Sequence, residues 1–128
     1  MKGEIARYLI CGSLAAIFAL AVRILFSTVM PFSAATACAQ IAAMVFGYFL
    51  YRYVVWRKTT RPVASTIVPF VAVNMASLVI VLVVSVAVRA ILGWVFGLSE
   101  IVSTFAHATG IACGAALSMV GHRTYTFR

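Results

Sequence analysis

The sequence predicts an all-α integral membrane protein: four transmembrane helices arranged as two tandem helical hairpins, related as a parallel repeat by a pseudo-twofold axis. Three observations predict it. Of the 128 residues, 65% are hydrophobic and only 9% are charged, far below the roughly 25% charged of a soluble domain. Four apolar stretches are each long enough to cross roughly 30 Å of hydrocarbon, which takes about 20 residues at 1.5 Å each. Two of these stretches also end alike, GYFLYRYVVWRK from Gly47 and GHRTYTFR from Gly121, with an arginine followed four residues later by an aromatic.

The four spans run from about Tyr8 to Val29, Ala34 to Val55, Ile67 to Leu92 and Val102 to Val120. The net charge of +8 would raise nucleic-acid binding for a soluble protein. Here the charges follow a membrane pattern instead, and no nucleic-acid partner is expected. Lys2 and Arg7 precede the first span, Arg52, Arg57, Lys58 and Arg61 lie between the second and third, and Arg123 and Arg128 follow the fourth. Alternating spans put all of these on one side, which the positive-inside bias makes the cytoplasm, with both termini. The outer connections, near Met30 to Ser33 and Gly97 to Glu100, carry no lysine or arginine. The whole chain, 1–128, then forms a single membrane domain. Its basic N-terminus is not read as a signal peptide, because the apolar run exceeds a typical h-region and belongs to the repeat. Cys11, Cys38 and Cys113 all fall inside apolar stretches and read as small packing residues, with no metal spacing among them.

Setting Arg52 on Arg123, an offset of 71, aligns the second and fourth spans. Ala35 then falls on Ala106, Ala39 on Gly110, Ala43 on Gly114, Gly47 on Ser118 and Trp56 on Phe127. Each helix thus carries a small residue at every fourth position of one face, where backbones can approach closely. The expectation is that the second and fourth helices pack along these stripes. The first and third spans align at an offset of 66, with AVR at Arg23 falling on AVR at Arg89. This gives repeats of about 5–58 and 66–128, with about five extra residues expected in the second outer connection.

Several polar residues are candidates for binding. Arg52 and Arg123 stand where the second and fourth helices leave the membrane, with Tyr51 and His122 just before them and Arg57 and Lys58 nearby. A guanidinium fork suits phosphate oxygens, although interfacial arginines and aromatics also anchor helices with no ligand. Arg23 lies 16 residues beyond Arg7, about 24 Å along a helix, so it sits near the opposite edge of the hydrocarbon, and Arg89 is placed similarly. A charge there is either functional or snorkels to the headgroups. Gln40, Asn74 and His107 lie within spans, to bond a neighbouring helix or to face a ligand. No carboxylate lies deep in a span, and no hydrolase constellation, nucleotide loop or metal spacing is present, so neither an enzyme nor a cofactor is expected.

Four spans in about 130 residues, with RYLICGSLAAI, GYFLYRYVVW, RILF, HATG and a final GHRTYTF, resemble the GtrA-like family of small bacterial membrane proteins. The resemblance covers essentially the whole chain. It implies residence in the bacterial cytoplasmic membrane and movement of a polyprenyl-phosphate-linked sugar to the outer leaflet for cell-surface polysaccharide synthesis, supplying a membrane glycosyltransferase. The family's usual asparagines five and one residues before the arginine are here Gly47 and Tyr51, and Ser118 and His122 in the fourth helix, so the amide donors are absent. On this reading Arg52 and Arg123 receive the phosphate at one leaflet, and Arg23 and Arg89 form a second cationic station at the other. A non-transporting scaffold that recruits a glycosyltransferase is the alternative. A small multidrug exporter has similar length but needs an acidic residue in its first helix, which is missing here. Four helices make a thin wall around a sugar, so a homo-oligomer would enclose it better.

Overall fold

The structure, a computed structural model, describes residues 2–127; Arg128, counted above with the basic end, lies outside the described residues. The helices are α1 (Lys2–Phe26), α2 (Phe32–Leu50), α3 (Val63–Phe96) and α4 (Glu100–Gly121). All four are long and apolar enough to cross a membrane, and the protein is a multi-pass membrane protein. Pro31 and Pro62 stand at the N-caps of α2 and α3, where the lack of an N–H costs nothing because the first turn has no acceptor for it. Ser99 caps α4 by accepting the Val102 N–H at 3.2 Å, and Gly97, at φ 81°, ends α3 in a conformation that side chains disfavour.

α1 packs on α2 and α3 on α4 most closely, and α2 against α3 and α1 against α4 close the ring. The diagonal pairs make marginal contact at most, which corrects the expectation that α2 and α4 pack on each other. The small-residue stripes are buried as expected, but the α4 stripe serves its own hairpin partner. A Cβ on Gly110 would collide with Ser85 and the Val81 carbonyl, and one on Gly114 would meet Ser77 and Val81. Short outer loops force hairpin partners side by side, and dispersion then favours the closest approach available to them. Gly110→Ala should therefore lower the thermal midpoint in detergent by several degrees, since the obstacle includes backbone that cannot rotate away. An unchanged midpoint would show that α3 and α4 part easily here.

A second correction concerns the outer connections. The loop between α3 and α4, Gly97–Ser99, is shorter than the one at 27–31 between α1 and α2. The extra residues are helical, extending the end of α3 and the start of α4, because nothing before Gly97 breaks the pattern.

Apart from an aromatic cluster of Tyr8, Tyr51, Phe70 and Phe127 at one end, much of the interior is polar or small while the outside is greasy. α3 buries Thr66, Asn74, Ser77 and Ser85, and exposes Val68, Val79, Val83 and Ile91. In lipid this inversion costs little, since the apolar faces lose nothing by staying exposed. Of the cysteines, Cys11 is buried, Cys38 half-buried and Cys113 exposed, all unbridged. Only Cys11 fits the packing role fully.

Candidate functional site at the basic end

Both α2 and α4 finish in a π turn, Tyr51–Val55 and His122–Thr126. The turns stand at the same offset of 71 as the sequence match, and in each a ring-bearing residue donates its N–H back five residues. Trp56 bonds the Tyr51 carbonyl at 2.8 Å and Phe127 the His122 carbonyl at 3.0 Å. One extra residue per turn rotates the chain beyond it, and π turns are frequent at functional sites for that reason. Here the Trp56 and Phe127 rings meet and stack, with centroids 4.7 Å apart and planes 16° from parallel.

Beneath this stack lies a closed aromatic layer. Tyr51 stacks on Tyr8 at 5.1 Å, and His122 on Phe70 at 4.6 Å. His122 is fully buried, with one ring nitrogen 3.1 Å from Thr126 Oγ1 and the other 3.2 Å from Asn74 Nδ2, whose amide also donates to the Phe70 carbonyl. Tyr51 and His122 thus shape the floor of the site from within. Asn74 makes the interhelical bond expected of it.

Above the stack opens a groove in two lobes of about 520 and 230 Å³ that share Glu4, Trp56 and Phe127. Arg123 and Thr124 line the larger lobe, and Arg7, Arg57, Lys58 and Thr59 the smaller. Glu4 accepts the Trp56 indole N–H at 2.9 Å, which fixes the ring against the start of α1. Four cations thus stand around an aromatic platform with one engaged carboxylate, and guanidinium and ammonium groups are the donors that suit oxyanions.

Arg52 stands apart from this groove. Its guanidinium donates to Thr66 Oγ1 at 3.2 Å and to the Arg61 carbonyl at 3.0 Å. Arg61 in turn donates to the Tyr125 and Thr126 carbonyls, at 2.8 and 3.0 Å. Helix C-termini leave such carbonyls unpaired, and a cation is the usual answer. The two arginines thus lash the π turn of α2 to that of α4. Sequence reasoning counted Arg61 only as a charge and did not single out Glu4, Arg7 or Trp56 for binding; the orphan carbonyls of a helix end were the one available signal for Arg61.

At the opposite end, Arg23 is fully buried and ion-paired to Glu100 at 2.5 Å, with a second bond to Thr104 at 2.6 Å. Arg89 donates to Ser103 at 2.9 Å, and both guanidiniums lie over the Phe32 ring, at 5.6 and 4.6 Å from its centroid. Arg23 is thus a neutralised pair here, while Arg89 also lines an open pocket with Phe32 and Trp94.

Between the ends runs a narrow central cleft of about 60 Å³, lined among others by Gln40, Tyr51, Asn74, Ser77 and Ser118. Gln40 is half-buried there. His107 is fully buried, and neither ring nitrogen has a partner among the described residues, against the expectation of an interhelical bond. Each such orphaned group costs about 1–3 kcal/mol.

No curated protein and no solved structure matches the chain. The family model described as GtrA/DPMS, transmembrane domain, matches residues 7–127, which takes in nearly all of the four helices and both π turns. That family description suggests a role in polyprenyl-linked sugar flipping or in sugar transfer at membranes. Four apolar helices and nearly full coverage by one family model carry the conclusion: this chain belongs to the GtrA/DPMS transmembrane-domain family.

Proposed function

We propose that the protein moves a polyprenyl-phosphate-linked sugar across the bacterial cytoplasmic membrane, with the basic end and both termini in the cytoplasm, for cell-surface polysaccharide synthesis. The single domain works as two hairpin repeats, 5–58 and 66–128, about a pseudo-twofold axis. The observation that carries this reading is the groove: the phosphate sits among Arg7, Arg57, Lys58 and Arg123, and the sugar lies on the Trp56–Phe127 stack. The prenyl chain stays in lipid or in the apolar groove of about 350 Å³ between α2 and α3, near Val45, Phe49, Ile67 and Val71. Moving the headgroup inward requires polar surroundings, and the central cleft offers amide and hydroxyl groups for it. The product would supply a membrane glycosyltransferase, and a homo-oligomer would widen the path.

The experiment is translocation of a labelled polyprenyl-phosphate sugar in vesicles containing the purified protein. Arg123→Ala should slow it more than about tenfold, the cost of one charged hydrogen-bond partner, when measured below the variant's own melting midpoint. Arg52→Ala should instead lower the midpoint, since Arg52 braces the fold. No movement by the wild-type protein would favour a scaffold that recruits the glycosyltransferase.

A further inference from the structure

Six buried side-chain nitrogen or oxygen atoms have no hydrogen-bond partner among the described residues, and five of them fall in one layer. They are Arg23 Nε of α1, Thr36 Oγ1 of α2, Ser85 Oγ of α3 and both ring nitrogens of His107 of α4. All four side chains have 0% exposure. Every helix supplies one member.

Contacts on the outer side place the four together. Arg23 donates to Thr104, about one turn before His107. Arg89, one turn beyond Ser85, donates to Ser103, one turn before His107. Phe32, one turn before Thr36, lies against both guanidiniums. From the inner side the central cleft stops one turn short, since Ala19, Gln40, Val81 and Ile111 line it and each is four residues from a member of the layer.

The open valences define what the layer would accept. Glu100 cancels the charge of Arg23, so no net charge is left to hold a phosphate. What remains is a guanidinium N–H, two hydroxyls that donate and accept, and an imidazole with one donor and one acceptor. Such a mixed, uncharged set matches hydroxyl groups. Buried polar atoms are almost always paired, so a closed layer of unpaired ones is suited to receive a partner on opening.

We propose that Arg23, Thr36, Ser85 and His107 form a second binding station, closed in this conformation, which takes the hydroxyl groups of the sugar once the headgroup has left the basic groove. The proposal rests on the translocation reading and deepens it: the groove holds the phosphate and this layer reads the sugar. Specificity for a glycosylated over a bare prenyl phosphate then resides here.

The test uses the full chain in vesicles with two labelled probes, a polyprenyl monophosphate and its hexose-bearing counterpart. The double variant Thr36→Val with Ser85→Ala removes only hydroxyl groups. It should slow the hexose-bearing lipid about tenfold while the bare phosphate keeps its rate. His107→Gln, which keeps a donor and an acceptor, should retain more sugar-lipid movement than His107→Phe. Equal slowing of both probes, or no slowing of either, overturns the station. If the wild-type protein moves neither probe, the translocation reading falls. Native mass spectrometry then decides the station: loss of the hexose-lipid adduct in the double variant supports it, and wild-type retention overturns it.

Discussion

Glu100→Ala should lower the stability of the bundle by about 2 kcal/mol, read as a drop in the thermal midpoint in detergent. The glutamate itself is 56% exposed, whereas its partner Arg23 has no exposure at all. Removing one member of a fully buried pair costs about 3–5 kcal/mol, because the remaining charge is left in a medium that cannot solvate it. Solvent around Glu100 already weakens the attraction, so the loss falls below that range. Thr104 and Ser27 still contact the guanidinium, but a hydroxyl carries no charge. The diagnostic variant is Arg23→Met combined with Glu100→Ala. It fills the same space without a charge and should regain most of the loss. A double variant as unstable as Glu100→Ala alone would mean that Glu100 acts through the start of α4 and not through Arg23.

That pair also marks how far the sequence could be read. Four helices, their order and the burial of the small-residue stripes were legible, because span length and a four-residue period are local properties of the chain. Which face meets which helix was not, since the stripe of α4 fits α3 as well as it would fit α2, and only loop length decides. The arginine and aromatic endings marked two helix ends at matched positions, but could not reveal that a π turn would bring Trp56 onto Phe127. Nor could they divide labour among the cations. Arg52 and Arg123 occupy matched positions, yet one braces Thr66 and the Arg61 carbonyl while the other lines the groove. Nothing local to Glu100 announced its ion pair, because its partner lies 77 residues away. Hydroxyl residues such as Thr36 and Ser85 gave no signal, being common in membrane helices; only their burial without partners singles them out.

Trp56→Ala should remove both function and stability, and the two losses can be separated. The ring stacks on Phe127, meets Tyr8 edge-on at 5.9 Å and Tyr51 at 5.8 Å, and holds Glu4 through its N–H. Truncating a large packed aromatic costs about 3–5 kcal/mol in a closed core. Trp56 is only half-buried, so a loss of about 2–3 kcal/mol is expected. Trp56→Phe keeps a stacking ring and gives up one hydrogen bond, about 1 kcal/mol. If the stack is the platform for the sugar, Trp56→Phe should keep most sugar-lipid movement, whereas Trp56→Ala should abolish it even below its own melting midpoint. Exchange of the two rings, Trp56→Phe with Phe127→Trp, tests the matched geometry of the two π turns. Because the rings occupy equivalent positions, the exchange should cost little beyond the Glu4 bond. Collapse of the exchanged protein would show that the turns are alike in sequence position but not in the space they offer.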